Sequence, residues 1–318
     1  MTRPAVAIVG GGAWGLGLAA AAARTGGLTL LLSRRALAHD VAVPPGVTLA
    51  RSDAEVGDKA RLVVFAVPSG VAREVARSLG GHVDGRHFVV HGVRGLVGEQ
   101  METISDVVRA ETPVRRLGAL GGPALASDLV AGRPSVMVCG SRYPEVTRAL
   151  RDVFTSPSLR LYATSDLAGL EWASALVGCL AIAVGYARGV GLGPGLLAAV
   201  ITRAVEEAGR IAAAAGGEER TLLGLAGYGD LLAATGQERR PEIVLGRALA
   251  NGTKLDAALA AAGQRIEAVD LVPRVQAWAE GVGVRAPIFT MLGSGVLSSK
   301  PTTEILREMM TGPLEAGS

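Results

Sequence analysis

A site that handles phosphate needs backbone that charged oxygens can approach closely, and this chain supplies it at Gly10-Gly11-Gly12-Ala13-Trp14-Gly15. An apolar run, residues 5–9, leads into the glycines, and an alanine-rich stretch, residues 16–24, follows them. A glycine turn between a strand and a helix is the setting that a dinucleotide-binding fingerprint requires. Gly10 permits the tight turn, Gly12 lets the backbone meet a pyrophosphate, and Gly15 lets the helix pack on the strand. Ala13 and Trp14 open that helix, whose N-terminus offers free N–H groups and the positive end of its dipole. The next apolar run ends at Ser33, Arg34 and Arg35, with no carboxylate to bond a ribose 2′-hydroxyl. This trio suits a 2′-phosphate, so the expected cofactor is NADP, with NAD as the alternative.

Few other residues are placed to move protons. His91 closes an apolar run expected to be a strand, and histidine titrates in the range that proton transfer needs. The alternative is a histidine satisfied by its neighbours at the sheet edge. Asp230 ends the glycine-rich stretch Gly227-Tyr228-Gly229 and could cap residues 231–234, or serve a site that other features place there. Tyr228 could lend a hydroxyl or simply pack. Glu171, a lone carboxylate in an apolar helical stretch, needs a partner. His39, His82 and His87 show no metal-ligand spacing with Cys, Asp or Glu, so no metal is expected.

The elements that must position these residues follow from the apolar pattern. Strands are expected at residues 28–32, 62–67, 87–91, 114–120 and 135–139. Helices are expected at residues 70–79, with Ser69 as N-cap, and 97–111. This alternation implies a parallel, doubly wound sheet. From about residue 164 the β rhythm stops. Ser165-Asp166 can cap a helix from Leu167, and Pro194 suits the first position of another that ends at Gly216-Gly217. Residues 219–225, 240–250, 254–262, 269–281 and 302–310 also read as helical. The expected architecture is α/β: a Rossmann domain over residues 1–163, then an all-helical substrate domain over residues 164–318. Only residues 315–318 read as a disordered tail.

Composition agrees with an enzyme of this kind. The chain has 318 residues, 49% hydrophobic and 19% charged, enough to bury a large core. Its 32 basic residues are scattered, with no run that suggests a nucleic-acid face. The longest uncharged apolar run, residues 173–187, is shorter than a membrane span needs and reads as a buried helix. Residues 1–12 lack the layout of a signal peptide. Cys139 and Cys179 lie far apart in apolar runs and read as reduced core residues of a cytoplasmic protein. Only three lysines occur, Lys59, Lys254 and Lys300.

Several motifs together resemble the bacterial NAD(P)-dependent glycerol-3-phosphate dehydrogenases over almost the whole length. They are Val9-Gly10-Gly11-Gly12-Ala13-Trp14-Gly15, Ala66-Val67-Pro68-Ser69, Gly122-Pro123-Ala124-Leu125-Ala126 with Asp128, Ser165 to Glu171, Ile201-Thr202-Arg203-Ala204, and Gly224 to Leu231. Glu267 sits where the family has the glutamate of its Val-Glu-Gly. The resemblance implies a dinucleotide domain followed by a helical substrate domain, a homodimer, and hydride transfer between nicotinamide C4 and C2 of dihydroxyacetone phosphate, giving sn-glycerol 3-phosphate. It also implies that Pro68, Ala126 and Glu267 border the cofactor. Gly122, Arg94 and Asp230 fall to the substrate, with one of Arg239 or Arg240 on its phosphate or other anionic end.

The departures fall on the chemistry. The family's proton-donating lysine lies in Gly-Ala-Leu-Lys-Asn-Val; here the stretch reads Ser174-Ala175-Leu176-Val177-Gly178-Cys179. A second family lysine, in a Lys-Gly pair, becomes Arg94-Gly95, which keeps the charge but scarcely deprotonates. Three readings follow. The chain is a dehydrogenase of this type that uses His91 or water as proton donor, a member acting on another small hydroxy or keto compound, or a dinucleotide-binding protein without catalysis.

Overall fold

The apolar runs assemble into one eight-stranded sheet, ordered β3-β2-β1-β4-β5-β6-β7-β8. The structure is a computed structural model that describes residues 5–34, 42–262, 265–298 and 300–311. Arg35, His39 and the tail 315–318 lie outside the described residues. The strands are β1 (Val6–Val9), β2 (Thr29–Leu32), β3 (Val47–Leu49), β4 (Leu62–Phe65), β5 (Phe88–His91), β6 (Arg116–Gly121), β7 (Ser135–Gly140) and β8 (Leu159–Thr164). Between them run α1 (Ala13–Ala23), α2 (Asp53–Lys59), α3 (Ala72–Gly80), α4 (Ile104–Glu111), α5 (Ala126–Ala131) and α6 (Pro144–Phe154).

After β8 the chain is helical: α7 (Leu167–Gly189), α8 (Pro194–Ala214), α9 (Glu219–Leu223), α10 (Asp230–Thr235), α11 (Pro241–Ala250), α12 (Leu255–Ala262), α13 (Glu267–Gly281), α14 (Pro287–Thr290) and α15 (Thr302–Thr311). Two π-helical turns, Leu225–Gly229 and Met291–Val296, interrupt the series. The fold is therefore the α/β sheet with a helical second half that the sequence predicts.

Three expectations need correction. The sheet is not wholly parallel, because β6 and β7 pair antiparallel. The six-residue helix between them, α5, is only about 9 Å long, too short to carry the chain back along the sheet for a parallel return. The helix expected over residues 97–111 starts only at Ile104. Before it, Val97 and Glu102 bridge as a small antiparallel pair, Met101 takes a positive φ of 56°, and Thr103 with Asp106 forms a capping box. Ser69 is not a helix cap: a single tight turn, Ser69–Val71, precedes α3, and the Ser69 hydroxyl goes elsewhere. The elements β3, α2, α5, α6, β8 and α14 are additions to the sequence reading.

Apolar side chains cover both faces of the sheet, and on one face they run without a break into the helical half around α7. That helix has 23 residues, longer than its apolar run, and is long and apolar enough to cross a membrane; yet 94% of its most apolar window is packed inside the protein, the environment of a core helix. Glycines set its contact with α11. A Cβ on Gly246 would lie 2.1 Å from Ile182 O, and one on Gly185 2.3 Å from Ile243 O. Backbone thus meets backbone, and the start of α11 is held against the middle of α7.

Candidate active site

The glycine turn has the geometry its spacing predicts. Gly10 adopts φ +128°, and a Cβ there would sit 2.2 Å from Ala66 O on the neighbouring chain segment. At Gly15 a Cβ would sit 1.8 Å from Gly10 O, so only glycine lets α1 close on the turn. At Gly12 a Cβ would meet nothing within 4 Å. Gly12 is the N-cap of α1, makes no side-chain cap, and is followed by no acidic residue in the first turn. Open space, uncommitted N–H groups and the positive end of a helix dipole coincide here. The turn also lies between β1 and β4, where the strand order changes direction, the place at which open α/β sheets bind ligands. These residues fit a dinucleotide pyrophosphate.

Around this turn the other expected cofactor residues take definite places. Trp14 is half-buried, its indole N–H has no partner among the described residues, and it leans on Gly92, where a Cβ would lie 2.4 Å from Nε1. Ser33 is half-buried after β2, while Arg34 is exposed and pairs with Glu74 of α3. Pro68 begins the turn after β4. Glu267, the first residue of α13, accepts hydrogen bonds from the Ser69 backbone N–H at 3.1 Å and the Ser69 hydroxyl at 2.6 Å. It therefore ties the helical half to the sheet. Ala126 begins α5, and its backbone packs on α1, with Ala126 O 3.1 Å from a Cβ built on Gly17.

The second concentration of polar groups is an ion cluster. The π-helical turn Leu225–Gly229 delivers Asp230 at the start of α10, where it is buried. Arg94 Nη1 lies 2.8 Å from Asp230 Oδ2, yet the contact is outside hydrogen-bond alignment and leaves both atoms without an aligned partner. Arg94 Nη2 donates to Gly122 O over 3.4 Å. Gly122, just after β6, has φ +92°. Arg240 Nη1 lies 3.6 Å from the other oxygen of Asp230, and Arg240 Nε donates to Glu242 Oε2 at 3.0 Å. Burial works against charge on Arg94, but Asp230 with Glu242 beyond it outweighs that and holds the guanidinium above its ordinary range. Of the two candidate arginines, Arg240 joins the cluster, while Arg239 is exposed and does not.

His91 does not join the cluster. It is buried, its Nε2 shares a 2.8 Å hydrogen bond with Glu171 Oε1, and its Nδ1 accepts from Val93 N–H at 3.4 Å. The Ser105 N–H donates to the same Glu171 oxygen at 2.8 Å. Glu171 thereby finds the partner a lone carboxylate requires, and the pair pins β5 to α7. With both ring nitrogens engaged and the side chain buried, His91 fastens β5 to α7.

Val177 is buried on α7 with nothing to donate, and Gly178 beside it leaves room for Glu242, whose Oε1 lies 3.7 Å from a built Gly178 Cβ. Lys59 pairs with Glu55 in α2, Lys300 with Glu304, and Lys254 is exposed before α12. No group of three or more His, Cys, Asp or Glu that could hold a metal occurs among the described residues. The sequence reading missed Glu242. Its signal was present in Arg240-Pro241-Glu242, where the glutamate reads as an ordinary first-turn acid.

Comparison with known proteins fits this geometry. The family described as NAD-dependent glycerol-3-phosphate dehydrogenase N-terminus matches residues 5–147, and its C-terminus counterpart matches residues 166–307. The glycerol-3-phosphate dehydrogenase (NAD(P)+) of Gluconobacter oxydans is 36% identical over 294 residues, 90% of each chain. That of Teredinibacter turnerae is 32% identical over 261 residues, 82% of this chain and 76% of the relative. Among solved structures, the glycerol-3-phosphate dehydrogenase of Coxiella burnetii is similar with a TM-score of 0.89 and 25% identity, covering 97% of this chain and 99% of that one.

Proposed function

The chain belongs to the NAD-dependent glycerol-3-phosphate dehydrogenase family, and on that premise we propose that it moves hydride between NADP(H) and a small anionic hydroxy or keto compound. Dihydroxyacetone phosphate with sn-glycerol 3-phosphate is the reference pair, and NAD is the alternative cofactor. One observation carries the reading: the Arg94–Asp230 pair is joined to the open Gly12 turn through Trp14, which rests on Gly92, two residues before Arg94. This proximity supports a reading in which a dinucleotide site and a charged substrate site adjoin.

The bound nicotinamide would supply or take up the hydride. Gly10, Gly12 and Gly15, with the α1 N–H groups, would hold the pyrophosphate of the dinucleotide. Ser33, Arg34 and Arg35 serve the 2′-phosphate, Arg34 by leaving Glu74; Pro68, Ala126 and Glu267 border the site. Arg94 anchors the substrate's anion, and Asp230 accepts from a substrate hydroxyl and orients it. Water supplies the proton, since His91 is engaged and Val177 has none to give. We take residues 1–163 as the dinucleotide domain and residues 164–318 as the substrate domain, in a cytoplasmic homodimer.

A second reading, a member with a changed substrate or one that only binds dinucleotide, is favoured by Val177. NADPH oxidation by the purified protein with dihydroxyacetone phosphate, with NADH in parallel, separates them. Turnover lost in Asp230→Ala supports the family reaction. Absence of turnover alongside NADPH binding seen by fluorescence supports a changed substrate or a binding role.

A further inference from the structure

Among the described residues, five buried side-chain polar atoms make no hydrogen bond: Trp14 Nε1, Arg94 Nη1, Ser105 Oγ, Ser174 Oγ and Asp230 Oδ2. A buried polar group without a partner is costly, so each asks for a physical reason. Trp14, Arg94 and Asp230 already belong to the cofactor and substrate sides of the cleft. Ser174 is 3% exposed and has no role so far. It stands where the resemblance has a glycine, in the stretch that lacks the lysine.

The face of α7 that carries Ser174 says where its hydroxyl lies. Leu170, Ser174 and Gly178 recur every four residues and share one face of the helix. Leu170 packs on the sheet, 2.9 and 2.7 Å from a Cβ built on Gly121 and on Gly140. One turn on, Ser174 Oγ lies 2.5 Å from a Cβ built on Gly121, so the missing side chain there leaves the hydroxyl its room. A further turn on, Gly178 faces Glu242. Gly121 leads into Gly122, whose carbonyl accepts from Arg94 Nη2. The turn that delivers Asp230 reaches the same corner, with Leu225 O 3.6 Å from a Cβ built on Gly122. Ser174 is thus placed between the end of β6 and the arginine–carboxylate cluster.

We propose that Ser174 is a substrate-binding residue whose hydroxyl hydrogen-bonds the C2 oxygen of a small polyol phosphate or its keto form, while Arg94 answers the phosphate and Asp230 the neighbouring hydroxyl. A serine hydroxyl both donates and accepts, so it serves the carbonyl and the alcohol alike. As the keto form is reduced, negative charge develops on that oxygen, and a fixed donor in a buried cleft stabilises it. The identity of the ligand rests on the dehydrogenase reading above; the need for a partner at Ser174 rests on its burial alone.

The test pairs this residue with one oxygen of the ligand. Protection against thermal unfolding is measured with sn-glycerol 3-phosphate and with 3-hydroxypropyl phosphate, which lacks only the C2 oxygen, on the wild-type protein and on Ser174→Ala. A ligand of the folded state raises the melting temperature according to its concentration over its Kd. The wild type is expected to bind sn-glycerol 3-phosphate about three- to tenfold more tightly than the analogue, the range of one neutral hydrogen bond. Ser174→Ala is expected to bring the two ligands level and to leave the affinity for the analogue unchanged. Without ligand it should melt no lower than the wild type, because the hydroxyl it removes has no partner. A purely structural role would lower that melting temperature and leave the ratio of affinities alone. Equal binding of the two compounds by the wild type overturns the proposal, as does an unchanged ratio in Ser174→Ala or a wild type that neither compound protects. NADPH binding, followed separately by fluorescence, tests the dehydrogenase reading, so the two can fail independently.

Discussion

At the level of single residues, the resemblance makes position 177 the place to test whether this site can run the chemistry of its relatives. Val177 is fully packed on α7, in a stretch where the resemblance implies a proton-donating lysine. Removing a general acid typically costs about 10²–10⁴-fold in rate. Val177→Lys should therefore raise reduction of dihydroxyacetone phosphate by at least about 10²-fold if the remaining site is intact, measured as NADPH oxidation. No change would mean that the pocket has been rebuilt around Glu242. The new ammonium would be buried among apolar neighbours, so the melting temperature should fall in the same variant. How far the residues were legible follows from the same region. The glycines announce themselves because only backbone geometry explains them, and Asp230 stands out in its glycine-rich turn. The type of His91 suits proton transfer, whereas its engagement by Glu171, eighty residues further along the chain, is a tertiary fact that no local pattern announces. Glu242 was hidden for the same reason: a first-turn acid is ordinary until Gly178 is found opposite it.

Among the elements, the packing of α11 on α7 brings Glu242 over Gly178, the neighbour of Val177. Gly185 and Gly246 let the two backbones touch, and Gly189 repeats the pattern one turn on, where a Cβ would lie 2.5 Å from that of Ala250. Gly246→Ala places a methyl 2.1 Å from Ile182 O and 2.6 Å from Tyr186 N. Neither helix can yield without moving backbone, so a loss of about 1–3 kcal/mol is expected, as for other overpacked cores. Thermal unfolding measures the loss. Anion protection should weaken in the folded fraction too, because Arg240 and Glu242 ride on the start of α11. The boundaries of such elements were only partly readable. Thr103 with Asp106 makes a capping box that sequence alone could have found, yet the apolar pattern from residue 97 onward favoured a longer helix. The antiparallel β6–β7 pair was less accessible, because it depends on how short α5 is and no local pattern states that length.

For the whole molecule, stability should depend on pH through a carboxylate far from the cluster. Glu207 on α8 is buried and accepts 2.9 Å hydrogen bonds from the Ile288 and Phe289 N–H groups at the start of α14, so it joins two distant parts of the helical half. Burial raises its pKa to about 7, against the opposing pull of those two N–H groups and Arg210. In the unfolded chain the group returns to its ordinary value of 4.5. Between those values the folded state holds the proton more tightly than the unfolded state does. Its contribution to stability is therefore fully present below about pH 4.5, declines as pH rises, and is lost above about pH 7. The full difference corresponds to up to about 3 kcal/mol, or several degrees in melting temperature for a chain of this size. Glu207→Gln keeps one acceptor for the α14 N–H groups and cannot ionise. Melting temperatures of the two proteins from pH 5 to pH 8 should thus diverge in slope, the wild type falling by the larger amount as pH rises. Parallel curves would mean that Glu207 is not buried with its charge in solution, and that α14 does not close over α8 as the structure describes.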